Sequence, residues 1–79
     1  MYMFPEIRTE NTTEEQVKKI LEEIDEFRQA IGDETDMEVL DILQASETLV
    51  RVHFSGREML LDQLIKQTIA KNKQRQYYT

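Results

Sequence analysis

Four acidic side chains in the first half of the chain have a spacing that suits cation chemistry: Glu23, Glu26, Glu38 and Asp41. Glu23 and Glu26 are three residues apart, as are Glu38 and Asp41. On a helix that spacing puts each pair on adjoining faces one turn apart. A glycine, Gly32, lies between the pairs. If the chain turns there, Glu26 and Glu38 are each six residues from the turn, and Glu23 and Asp41 each nine. At 1.5 Å per residue, an antiparallel hairpin would then hold two facing pairs about 9 and 13 Å from the turn. Carboxylates crowded in this way repel one another, and a divalent cation resolves the conflict. Magnesium takes hard oxygen ligands and commonly bridges protein carboxylates and substrate phosphates. With no cysteine and a single histidine, zinc and copper are disfavoured. Simpler roles are open to the same residues. Glu38 has capping-box spacing from Thr35, and Glu22, Glu23, Asp25 and Glu26 together would also suit a solvated face.

The elements that must position these acids read as helices. Thr12 and Glu15 have the spacing of a capping box, and an apolar stripe follows at Val17, Ile20, Leu21, Ile24, Phe27 and Ile31. Gly32 and Asp33 are expected to end this helix. A second helix is expected from about Thr35 to Val52. Met37, Leu40, Leu43 and Val50 form one apolar face, and Val39, Ile42, Ser46 and Leu49 a second. A surface that wide predicts a central, buried helix at an interface between copies. Ser55 to Glu58 suggests another capping box, before a third helix carrying Leu60, Leu61, Leu64, Ile65 and Ile69 that fades near Asn72. Residues 1–11, with Pro5, read as an extended lead-in, and residues 73–79 as a polar, aromatic tail. Met37 and Met59 read as core fillers, and His53 as a capping or interface residue.

Seventy-nine residues make one domain, 1–79, of the all-α class. So short a chain with no disulfide is marginal alone, which predicts a helical bundle completed by oligomerisation. The net charge of −6 argues against binding a nucleic-acid backbone. Thirteen of the sixteen acids lie between Glu6 and Asp41, whereas from Gln63 onward there are four basic residues and no acid. That polarity fits a cation-holding half and a phosphate-holding half. No apolar run approaches the roughly 20 residues a bilayer needs, and the start does not read as a signal peptide. The expectation is a soluble, cytoplasmic protein with no membrane partner.

The order Glu22-Glu23-Ile24-Asp25-Glu26, then Glu38-Val39-Leu40-Asp41, resembles the Glu-x-x-Glu … Glu-x-x-Asp signature of the MazG-like nucleotide pyrophosphohydrolases, an all-α family. The stretch Ile42 to Leu49 is also similar to short members, phage-encoded ones among them. So is the ending Lys71-Asn72-Lys73-Gln74-Arg75 with Tyr77 and Tyr78. The resemblance covers about Thr13 to the end. It implies a Mg²⁺-dependent hydrolase, with Mn²⁺ as a substitute, that cleaves a nucleoside or deoxynucleoside triphosphate to the monophosphate and pyrophosphate. It further implies a homo-dimer or tetramer. By motif position, Glu23, Glu26, Glu38 and Asp41 would hold the metal, and Lys71, Asn72 and Arg75 would face the phosphates. Apart from the motif, the aromatic Tyr77 and Tyr78 suit stacking on a nucleobase or docking on a partner subunit, and Glu22 or Asp25 suits either acting as base toward water or facing solvent. Two departures stand out. The chain is short, so a fourth helix is missing or supplied by a partner, and Gln76 replaces the glycine often found in related tails. The competing expectation is a non-catalytic helical module that binds nucleotides or another protein.

Overall fold

The computed structural model describes residues 2–78 and contains three helices, with no strand among those residues. Helix α1 spans Thr13–Gln29, α2 Glu34–His53 and α3 Glu58–Gln74. None is long and apolar enough to cross a membrane.

The start of α1 follows its local chemistry. Thr12 accepts from the Glu15 amide at 3.2 Å, and the Glu15 carboxylate accepts from the Thr12 amide at 3.0 Å. Two otherwise orphaned donors are thus satisfied, and hydrogen bonding of the carboxylate by Thr12 lowers the Glu15 pKa. The other end comes earlier than the apolar stripe suggests. Ala30 caps the helix in extended conformation, and Ile31 lies outside it, 84% exposed. Gly32 then turns the chain at φ +67°, a region that favours glycine.

Helices α1 and α2 pack as an antiparallel hairpin. The seam is more polar than the stripe predicts. Gln16 and Glu23 are buried on α1, and Ala45 and Thr48 on α2, while Val17 and Leu21 face solvent. Ile20 and Phe27, half-buried, share the face of Gln16 and Glu23. Each polar seam residue has a partner, and that of Glu23 is the Lys19 ammonium four residues before it on the same helix. The Gln16 amide donates to the Ala45 carbonyl at 3.0 Å and accepts from the Asn11 side chain at 3.0 Å. Thr48 donates to the Gln44 carbonyl within its own helix.

The lead-in is a strap laid along α2. Glu47 accepts from the Met3 and Phe4 amides at 2.8 and 3.0 Å. One turn on, Arg51 donates to the Phe4 carbonyl at 3.0 Å, and its guanidinium lies 4.0 Å from the centre of the Tyr2 ring. The strap thereby covers one flank of α2 and makes that helix the central one.

Helix α3 packs against neither α1 nor α2. Leu61 alone of its residues is buried, beside a cavity it shares with Tyr2, Arg51 and Phe54. The expected Ser55–Glu58 capping box does not form. Arg57 occupies the cap position, and Glu58 instead accepts from the Gly56 amide at 3.3 Å. At the far end the helix runs past Asn72 to Gln74 and closes with a Schellman turn: Tyr77 N donates to Asn72 O and Gln76 N to Lys73 O, both at 3.0 Å. Gln76 adopts φ 60° there, the conformation in which glycine is usual.

The chain is open. Its radius of gyration is 14.7 Å, against roughly 12 Å for a compact chain of this length. Its accessible surface is 6652 Å², where a compact monomer would show about 5,000 Å². Apart from Ala45 and Leu61, no hydrophobic residue is buried among the described residues, and none is fully so. Met37 and Met59, expected in a core, are 63% and 83% exposed.

Candidate metal centre

Three of the four predicted acids meet across the hairpin. One carboxylate oxygen each from Glu23, Glu38 and Asp41 lies within 4.8 Å of the others. The register that achieves this differs from the expected one. Gln16 reaches Ala45, and midway between them in the chain is the Ala30–Ile31 peptide, not Gly32. The shift follows from α1 ending at Gln29 and brings Glu23 to Glu38 as well as Asp41. Glu26 is exposed and outside the group of three, but close enough to the Glu23 carboxyl to be affected by it.

The electrostatics are those of crowded acids. The neighbouring Glu23 carboxyl and its charge, followed by desolvation and the charge of Glu38, raise the pKa of Glu26. Desolvation, followed by the charges of Asp41, Glu23 and Glu34, raises that of Glu38. The buried Glu38 Oε2 has no hydrogen-bond partner. The capping alternative for Glu38 is absent as well, since α2 starts from Asp33 with no side-chain cap bond. The Lys19 ammonium pairs with the group's buried acid, lying 3.1 Å from Glu23 Oε1, and 3.9 Å from Glu22. The hydrogen bond and charge of Glu23 raise the Lys19 pKa in turn.

Geometry allows a small hard cation between the three acids. Ligand oxygens 2.0–2.1 Å from an octahedral magnesium stand about 3 Å apart when adjacent and about 4 Å apart when opposite. Oxygens separated by up to 4.8 Å reach that spacing by small side-chain rotations. Acidic groups also cluster without an ion, so the arrangement permits a metal and names none.

The remaining predicted site residues are elsewhere. Glu22 and Asp25 are exposed, and Glu22 faces outward toward Lys19. Lys71 and Asn72 lie in the last turn of α3, Arg75 caps it, and Tyr78 follows, 52% exposed. Because α3 packs on neither helix of the hairpin, one chain does not bring these four to the acids. Residues that the sequence did not suggest are closer. A cleft of about 280 Å³ beside Glu23 and Asp41 is walled by Arg8 and Asn11 of the strap, by Gln16 and Lys19, and by Gln44 and Thr48. Its one advance signal was Gln16, a polar residue in line with Ile20 and Phe27.

No protein-family model, curated protein or solved structure matches the chain.

Proposed function

We propose that the chain is a Mg²⁺-dependent nucleoside triphosphate pyrophosphohydrolase that works as a homo-oligomer. The observation that carries this reading is the meeting of Glu23, Glu38 and Asp41 around an unpartnered, buried carboxylate oxygen. The order of acids resembling the MazG-like signature supports it. Glu23, Glu38 and Asp41 would hold the cation, with Glu26 beside them as a fourth ligand. Magnesium bound there would neutralise charge on the phosphates and lower the pKa of an attacking water; manganese would do the same. Water would attack the α-phosphorus as the bond to the α–β bridging oxygen breaks, giving the nucleoside monophosphate and pyrophosphate, with Glu22 or Asp25 taking the water's proton. The chain's own part is to position the phosphates.

Oligomerisation rests on exposed surface. The excess of about 1,600 Å² per chain over a compact monomer is the amount that a large, obligate interface removes from each partner. Val17 and Leu21 on α1, Met37 and Leu40 on α2, and Leu64 and Ile69 on α3 supply apolar area for it. A basic α3 end approaching an acidic hairpin also makes a favourable pairing. Lys71, Asn72, Arg75 and Tyr78 would then reach a nucleotide held by a second copy.

One observation favours a non-catalytic binding module: Lys19 already neutralises Glu23 without any metal. Calorimetric titration of Mg²⁺ separates the two readings. Saturable binding lost in Glu38→Gln supports the metal-dependent enzyme, and absence of binding supports the module.

A further inference from the structure

We infer that the cleft under the strap is the anion subsite of this centre, and that Arg8 and Lys19 are its phosphate-binding residues. The inference rests on the proposed function for the nature of its ligand, and on the fold for its place. The cleft, about 280 Å³, is bounded by Arg8 and Lys19 as well as by Glu23 and Asp41. Cations and carboxylates around one cavity match a metal–phosphate complex, in which the metal faces the acids and the outer phosphate oxygens face the cations. Asn11 and Gln44 add amide donors to the same wall. Lys19 is held on Glu23 at 3.1 Å. With Glu23 engaged by a divalent ion, that ammonium would be free to face the phosphates beside it.

Arg8 has no partner of its own among the hydrogen bonds and ion pairs of the described residues, yet its place is fixed from both sides. Upstream, Glu47 and Arg51 clamp Met3 and Phe4; downstream, Asn11 is tied to the buried Gln16. The strap therefore carries an exposed guanidinium to the mouth of the cleft. Glu47 and Arg51 are positioning residues that act through it. By contrast the cations of α3 lie on a helix that does not pack on the hairpin.

The test is calorimetric titration of inorganic tripolyphosphate, with Mg²⁺ present, into the 79-residue chain. Arg8→Ala should weaken binding about tenfold to a hundredfold, the worth of one charged hydrogen-bonding contact. Arg8→Lys should recover part of the loss, since it restores charge without the planar fork. A Lys66→Ala variant, which removes an exposed cation of α3 with no part in the site, should stay within about twofold of the wild type. Arg8 is exposed, so its loss leaves the fold intact. Wild-type affinity in Arg8→Ala, or a loss confined to the α3 variant, would overturn the inference while leaving the hydrolase reading in place. Wild-type protein that binds tripolyphosphate through Arg8 but hydrolyses no nucleotide would keep the subsite and overturn the hydrolase. No binding by the wild type would overturn the subsite.

Discussion

Leu21→Glu should break the assembly while sparing the chain's own fold. Leu21 is 56% exposed in a single chain, on the face of α1 turned away from α2. Burying a leucine side chain fully is worth about 1.5–3 kcal/mol, so covering its exposed half contributes about 1–1.5 kcal/mol per chain. In a two-fold dimer both copies lose it, about 2–3 kcal/mol in all, which raises Kd roughly 30- to 150-fold before any cost of burying the carboxylate. Within the chain little changes, because glutamate is as good a helix former as leucine and the site is already wet. Sedimentation equilibrium across a concentration series, with circular dichroism at each point, reads both quantities. The variant should dissociate at concentrations where the wild type does not, with the hairpin's helicity retained. A variant that sediments like the wild type would refute the use of this face. A wild type that is a folded monomer at micromolar concentration would refute the oligomer altogether.

Other consequences follow from individual side chains. Because the folded pKa of Glu38 lies above its unfolded value, its charge costs stability at neutral pH, and the cost is relieved as pH falls through the raised pKa. Glu38→Gln should therefore raise Tm at pH 7 without metal, change it little in acid, and remove the Tm increase that Mg²⁺ gives the wild type. An unchanged metal response in thermal scans would count against Glu38 as a ligand. Glu47 has the opposite sign: the Met3 amide bond lowers its pKa, so the clamp is complete above the ordinary carboxylate range and weakens as pH falls through the depressed value. Glu47→Ala should expose the Met3 and Phe4 amides to rapid hydrogen exchange at neutral pH, and protection equal to the wild type would deny the clamp. Gln76→Gly should stabilise the end of α3 by about 1 kcal/mol by relieving a left-handed non-glycine residue, read as slower exchange at Tyr77. Unchanged exchange would mean that the turn is not formed in solution.

The helices were legible because their signals are local. The Thr12–Glu15 box, the glycine turn and the apolar periods lie within a few residues of what they control. The acid cluster was legible in composition but not in register, since that depends on where α1 stops. Ile31 continues the stripe in sequence, yet the backbone has already left the helix at Ala30. The same limit explains Met37 and Met59: periodicity says that two faces are apolar, not which one finds a partner within the chain. The strap was hidden for another reason. Glu47 and Arg51 reach Met3 and Phe4 across 43 to 47 residues, and nothing in either segment names the other. Arg8 came into view only once that contact had laid the strap beside the acids. The departure noted at Gln76 did have a structural counterpart, a positive φ at the position where glycine is usual.

The central claim is tested most directly by measuring pyrophosphate release from a panel of nucleoside and deoxynucleoside triphosphates, with and without Mg²⁺, for the wild type and Asp41→Asn. Asp41 is exposed and supplies one oxygen to the acid group, so its replacement should leave Tm nearly unchanged. Turnover should fall about a hundredfold or more as a metal ligand is lost. Magnesium-dependent release of pyrophosphate that collapses in the variant is the predicted result. No release from a folded wild-type protein, or equal release from Asp41→Asn, would contradict it.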